Sequence, residues 1–159
     1  MKTLKYFSVL FLTAVSSLVF SACSSDDAEE QTYATPAEAV AGTYIGTVSG
    51  NAVETLDNST LIIKANADGT VTITQPTIQS KGNYNGVNKY AGATVINIPV
   101  KKVEGSYVLE GSYQGSNGAM SVRGDVKGEL KGKQLSFDYT YDHLGLLEDP
   151  LIHFVGLKQ

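Results

Sequence analysis

The thiol of Cys23 is the first group in this chain that could do chemistry, because Cys23 is the only cysteine among 159 residues. It ends a mostly apolar run and is followed at once by serines and acidic residues, 24–30. A lone cysteine has no partner for a disulfide within the chain, and an unpaired thiol invites mispairing in an oxidising compartment. This position predicts that the sulfur of Cys23 is acylated and serves as a lipid attachment site.

The two histidines, His143 and His153, are the next candidates, since imidazoles and nearby carboxylates could bind zinc. Glu148 and Asp149 lie between them in the sequence. No His-x-His or His-x-x-x-His spacing joins the histidines, and no serine lies in a Gly-x-Ser-x-Gly motif. We therefore expect no metal site, no cofactor and no catalytic residues. The simpler interpretation is a protein that is not an enzyme, with one histidine paired on a strand.

The residues before Cys23 have the layout of a secretory signal. Lys2 and Lys5 give a positively charged start, residues 6–20 are mostly apolar, and small residues precede the cysteine. This apolar stretch of about 15 residues is shorter than the roughly 20 residues of a membrane-spanning helix. Residues 1–22 are therefore predicted to be a signal peptide.

The end of this signal resembles the lipobox of bacterial lipoproteins, in which the cysteine is acylated and the signal is then removed. That family usually has leucine three residues before the cysteine, where this chain has the bulky, apolar Phe20. Ser25, Asp26 and Asp27 resemble the signal that moves lipoproteins of Bacteroidetes-type bacteria to the outer leaflet of the outer membrane. The resemblance implies a surface-exposed protein that is anchored to the outer membrane through Cys23. The acidic segment 23–34 also fits a flexible, solvated tether.

Composition limits the partners of the remaining chain. Removal of residues 1–22 takes away Lys2 and Lys5 but no acidic residue, so the formal net charge changes from −4 to −6. An acidic balance without a basic cluster argues against nucleic acid as a partner. The length that remains after the tether suits one domain, 35–159, which we expect to be a monomer.

One short helix is predicted at the start of this domain, followed by β-structure. Thr35 and Glu38 form a capping box around Pro36, and Gly42 ends the helix. After Gly42, β-branched and aromatic residues dominate and turn residues recur, which is typical of consecutive antiparallel strands. Long loops are predicted at 79–90 and 144–150. The eight predicted strands are 43–50, 59–65, 70–78, 91–100, 107–114, 119–130, 134–143 and 151–157.

Alternation of apolar and polar residues gives these strands two different faces. Val122 and Val126 alternate with charged residues in the sixth strand, and Leu135, Phe137 and Tyr139 alternate with polar residues in the seventh. One dry and one wet face along each strand is typical of a barrel or a sandwich. The predicted fold class is all-β, an eight-stranded antiparallel up-and-down barrel with a short N-terminal helix.

The first and last strands carry a family resemblance. The run Ala41-Gly42-Thr43-Tyr44 after a short helix, and His153-Phe154-Val155-Gly156 near the end, are similar to the calycin-like (lipocalin-like) domains of Bacteroides-type lipoproteins. Lipocalins have a tryptophan where this chain, which contains none, has Tyr44. The resemblance implies that Tyr44 closes one end of the barrel beneath the helix.

The interior of such a barrel separates two functional hypotheses, because eight strands enclose either packed side chains or one small ligand. The first is a lipoprotein whose barrel binds a small apolar ligand through its open end. The alternative is a filled barrel that acts as a surface interaction module for a protein or glycan partner. Tyrosines fit both hypotheses, since they can face a ligand or pack in a core. The ligand-binding candidates are Tyr84, Tyr90, Tyr107, Tyr139, Tyr141, His143, Leu146 and Leu147.

Overall fold

The described part of the protein is a closed antiparallel barrel preceded by one short helix. The computed structural model describes residues 33–84, 87–116, 121–141 and 150–159, and only the backbone of 83, 84, 87 and 88. These residues belong to one compact unit. The elements are α1 (Pro36–Val40), β1 (Gly42–Gly50), β2 (Leu56–Ala65), β3 (Val71–Thr74), β4 (Ile78–Tyr84), β5 (Val87–Tyr90), β6 (Thr94–Ile98), β7 (Val100–Val103), β8 (Ser106–Ser116), β9 (Ser121–Lys131), β10 (Gln134–Thr140) and β11 (Leu151–Lys158).

Eight of these strands form the barrel. Around its wall the order is β6, β3, β2, β1, β11, β10, β9 and β8, and pairing of β6 with β8 closes the ring. The first and last strands of the described residues, β1 and β11, are neighbours, paired from Tyr44–Lys158 to Gly50–Ile152. The predicted fold class, an all-β barrel of eight antiparallel strands with one short helix, is confirmed.

Two segments differ from the prediction. The loop predicted at 79–90 is wrong, because most of it forms the β4–β5 hairpin, a separate two-stranded sheet. Its sequence is polar and contains Gly82, so the alternation that marks the other strands is missing. The strand predicted at 91–100 is divided at Pro99, which has no N–H to continue a ladder. Its second part, β7, lies beyond the ring and pairs with β8.

The short helix covers one end of the barrel. Its predicted capping box is present, with Glu38 N donating to Thr35 Oγ1 over 3.2 Å and Thr35 N donating to Glu38 Oε2 over 3.0 Å. The hydroxyl of the fully buried Tyr44 donates to the carbonyl of Val40 over 2.6 Å. The ammonium of Lys158, in the last strand, donates to another helix carbonyl over 2.8 Å. Tyr44 and Lys158 therefore fasten the helix to the barrel.

The β4–β5 hairpin lies against the segment that follows β1, at the end of the barrel opposite the helix. Backbone hydrogen bonds from Glu54 N to Gln79 O, 2.7 Å, and from Lys81 N to Ala52 O, 3.0 Å, hold it against the segment between β1 and β2. Ile78 at the start of the hairpin is buried and belongs to the hydrophobic core. The start of the hairpin therefore belongs to the same core as the barrel wall.

Strands β9 and β10 approach each other closely where β10 ends. A Cβ atom on Gly124 of β9 would overlap the carbonyl of Thr140, so glycine is required for this close approach. That carbonyl accepts a hydrogen bond from the hydroxyl of Tyr113 over 2.7 Å. This hydrogen bond ties the end of β10 to β8.

A single hydrophobic cluster fills the described interior from the helix to the hairpin. It includes Ala37 of the helix, Phe137 and Phe154 of the wall, and Ile78 and Tyr90 of the hairpin. Interiors of this kind are packed as densely as organic crystals. The wall therefore surrounds side chains along its described length.

Candidate functional site

Two of the predicted ligand-binding residues, Tyr139 and Tyr141, lie side by side in the interior. They are 1% and 2% exposed, and their rings meet edge to face with centroids 5.5 Å apart. The hydroxyl of Tyr141 donates to Oε1 of Gln75 over 2.6 Å and accepts from the backbone N–H of Ala93 over 3.4 Å. Gln75 and Ala93 flank the hairpin in sequence, so this group, which we call the tyrosine cluster, lies at the hairpin end of the barrel.

Burial keeps the phenols of this cluster protonated. It raises the pKa of Tyr141 to about 12. Burial, followed by the neighbouring hydroxyls of Tyr141 and Tyr113, raises the pKa of Tyr139 well above its ordinary value. A protonated phenol is a weak nucleophile and a poor base. The cluster therefore offers neutral hydrogen bonds rather than a reactive phenolate.

The free energy of unfolding is expected to fall as the pH rises from about 10 to about 12. The pKa of Tyr141 is about 12 in the fold and about 10 in an unfolded chain, so the unfolded state loses its proton first and gains stability from rising pH. At about 1.4 kcal/mol per pKa unit, Tyr141 accounts for a loss of about 2–3 kcal/mol. Urea denaturation at stepped pH measures this slope. A Tyr141→Phe variant should have a shallower slope, and an identical slope in both proteins would contradict the assignment.

The other predicted ligand-binding residues are not brought to this cluster. Tyr107 is half-buried near the helix end, opposite Leu130, and its ring lies under the ammonium of Lys102 at 5.8 Å. Tyr90 is buried in the hairpin. Tyr84 lies in β4, where only the backbone is described. The predicted residues Cys23, His143, Leu146 and Leu147 lie outside the described residues.

The outer wall carries a second arrangement, a row of charged and polar side chains across four strands. Glu110 of β8 lies opposite Lys127 of β9, and Lys127 lies opposite Asp138 of β10. Asp138 in turn lies opposite His153 of β11, with Nδ1 of the histidine 2.7 Å from Oδ1 of the aspartate. The row thus alternates in charge from Glu110 to Asp138, and His153 is paired on the barrel wall.

A groove runs along the outer faces of β8 and β9, beside this row. The groove consists of three concavities of about 470, 420 and 700 Å³. They are continuous, because neighbouring concavities share lining residues. Ser112 and Asp125 join the first to the second, and Gln114 and Arg123 join the second to the third. Ser112 donates a hydrogen bond to Oδ1 of Asp125 over 2.6 Å. This β8–β9 groove was not among the predicted sites, because the sequence marked these residues only as the wet face of two strands.

The described part of the chain contains neither a group of metal ligands nor a helix that could cross a membrane. There, no group of three or more His, Cys, Asp or Glu side chains could hold a metal ion. The Asp138–His153 pair supplies only two of the three or four protein ligands of a zinc site. In that same part of the chain, no helix is long and apolar enough to cross a membrane.

The barrel has a counterpart among solved structures. No protein-family model and no curated protein matches the chain. It is similar to a chain from Bacteroides fragilis named "putative outer membrane protein", with a TM-score of 0.59 and 20% sequence identity. The match covers 75% of this chain and 51% of the other, so this chain spans about half the length of the structure it matches. At this identity the likeness shows a shared fold.

Proposed function

We propose that this protein is a lipoprotein of the outer membrane, anchored through Cys23, whose filled barrel presents the β8–β9 groove to a protein partner. One observation carries the proposal. Packed side chains occupy the described interior, whereas concavities of about 420 to 700 Å³ lie on the outer wall. Segments of partner proteins can dock in surface grooves, and on this barrel the groove lies outside.

Two separate likenesses support the proposed location. The sequence around Cys23 resembles a lipobox followed by the acidic signal of surface lipoproteins. The fold resembles a Bacteroides fragilis chain whose name refers to the outer membrane. The first likeness concerns residues outside the barrel and the second concerns the barrel itself, so neither depends on the other.

The packed interior supports an interaction module better than a carrier of a small apolar ligand. Sites for such ligands usually have volumes of about 300–1,000 Å³. In this barrel Tyr44, Phe137 and Phe154 are fully buried in one hydrophobic cluster, which also includes Ala37 of the helix and Ile78 of the hairpin. An apolar ligand would have to displace packed rings from a dense core.

The charges beside the groove favour a protein as the partner. Glu110, Lys127 and Asp138 alternate in sign, and such a row selects and orients a surface that carries the complementary charges. Ile96 and Leu151, at the two ends of the groove, are 52% and 41% exposed and offer apolar contacts. Exposed apolar residues and alternating charges are both features that a protein surface can match.

Photo-cross-linking in the host cell tests this proposal. A photoreactive residue at Ser112, inside the groove, is expected to give an adduct with one protein, which mass spectrometry identifies. The same residue at Thr60, exposed on the outer face of β2, is the matched control and should not give that adduct. Adding Lys127→Glu should reduce the Ser112 adduct about tenfold, because a like charge would then face the partner.

Three results would contradict the proposal. Equal adducts from Ser112 and Thr60 would show that the groove has no special role. An adduct with a glycan instead of a protein would change the class of partner. Release of a small apolar molecule from the host-purified protein in native mass spectrometry would favour the carrier hypothesis.

A further inference from the structure

Two buried polar atoms in the barrel have no hydrogen-bond partner among the described residues. They are Nε2 of Gln75 and the hydroxyl oxygen of Tyr139. Gln75 and Tyr139 are 2% and 1% exposed, so bulk water does not reach them. Folded proteins rarely bury such groups without a partner, because the groups lose their bonds to water. Each orphaned atom therefore points to a ligand.

Tyr141 links the two orphaned groups. Its ring contacts the ring of Tyr139, and its hydroxyl donates to Oε1 of the Gln75 amide over 2.6 Å. The same hydroxyl accepts from the backbone N–H of Ala93, so its proton is directed to Gln75. This bond orients the amide, with Oε1 towards Tyr141 and Nε2 towards another partner. Gln75 and Tyr139 thus belong to one polar cluster at the hairpin end.

The surroundings select a neutral oxygen as the ligand atom. Nε2 of Gln75 can only donate, so its partner must be an acceptor. The nearby hydroxyl of Tyr113 is already directed to the carbonyl of Thr140 over 2.7 Å. The charged row lies on the outer face of the wall, so a buried anion would have no cation beside it and would be costly. A water molecule, a carbonyl or a hydroxyl meets these requirements.

We propose that the tyrosine cluster is an internal binding site for a neutral acceptor oxygen, which accepts from Nε2 of Gln75 and shares a hydrogen bond with the hydroxyl of Tyr139. The oxygen belongs either to a water molecule or to a small molecule that carries a carbonyl or hydroxyl group. The site lies inside the wall, whereas the β8–β9 groove lies outside it. A water molecule in this site is compatible with the filled barrel of the proposed function, whereas a small molecule there would favour the carrier hypothesis instead.

Magnetization transfer between water and the side-chain amide of Gln75 tests the water source, using isotope-labelled full-length protein from its host. A long-lived water should give a direct transfer signal in the wild type. Tyr139→Phe is expected to lose most of that signal, because one of the two hydrogen-bond partners of the water is removed. Tyr44→Phe is the matched control, since its hydroxyl already donates to the protein carbonyl of Val40. It should keep the signal.

Native mass spectrometry of the same preparation tests the small-molecule source. If a small molecule supplies the oxygen, the wild type should carry an extra mass that Gln75→Met loses, and the water signal should be absent. A wild type with neither signal overturns the proposal, and so does a Tyr139→Phe variant with an undiminished signal. If Tyr139→Phe does not fold, a high-resolution crystal structure of the wild type decides. An oxygen within about 3.2 Å of Nε2 supports the site, and density showing none overturns it.

Discussion

In protein from which residues 1–22 have been removed, replacement of Cys23 by serine is expected to release almost all of the protein from the membrane fraction. The proposed anchor is an acylated thiol, and an acyl chain contributes about 0.8 kcal/mol per buried CH₂ group. One chain binds a membrane weakly, whereas two give stable attachment. Losing all acyl chains should therefore shift the distribution of the protein between the membrane and the soluble fraction by several orders of magnitude. The described barrel begins after the tether, so its circular dichroism spectrum should not change.

Membrane fractionation together with the intact mass of the protein measures this effect. Ser24→Ala is the matched control, because it alters the neighbouring residue and keeps the thiol. It should stay in the membrane fraction with the same acyl mass as the wild type. A Cys23→Ser protein that has lost residues 1–22 and still remains in the membrane fraction, or a wild type without acyl mass, would contradict the proposed anchor.

Replacement of Phe137 by alanine is expected to lower the free energy of unfolding by about 3–5 kcal/mol. The side chain is fully buried in the wall of the core. It also covers Gly128 of the neighbouring strand, where a Cβ atom would lie only 2.6 Å from Cδ2 of the ring. Because glycine has no side chain to move into the space, removal of the ring leaves a cavity. Domains are usually stable by about 5–15 kcal/mol, so the loss is a large share of the total.

Urea denaturation at neutral pH measures the loss. Val155→Ala is the matched control, because Val155 lies on the neighbouring strand β11 but faces outwards and is 44% exposed. That variant should differ from the wild type by about 0.5 kcal/mol or less. Similar losses in both variants would mean that the inner and outer faces of the wall have been assigned wrongly.

Features that depend on residues close in sequence could be predicted. The capping box of Thr35 and Glu38 spans one helical turn, and the structure contains both of its hydrogen bonds. The inner faces of β9 and β10 follow from alternation of residues two apart, so Val126 and Phe137 were expected inside and are buried. Local propensity and periodicity carry this information directly.

Features that depend on the register between strands could not be predicted. Glu110, Lys127, Asp138 and His153 each belong to a different strand, and only the pairing of those strands places them in one row. A shift of one residue in any pairing would turn a strand over and break the row. The lack of a hydrogen-bond partner for the hydroxyl of Tyr139 could not be predicted for the same reason, because it depends on residues from several strands.

The pairing of β1 with β11 also constrains the order in which the molecule can be made. A chain that emerges from its N-terminal end presents β1 early, but β1 has its second neighbour only when β11 has been delivered. Contacts between segments so distant in sequence have a large entropic cost of loop closure, and this cost slows folding. Until then β1 has an unpaired edge that could join another chain. We therefore expect the edge of β1 to be open to pairing with another chain until β11 has been made.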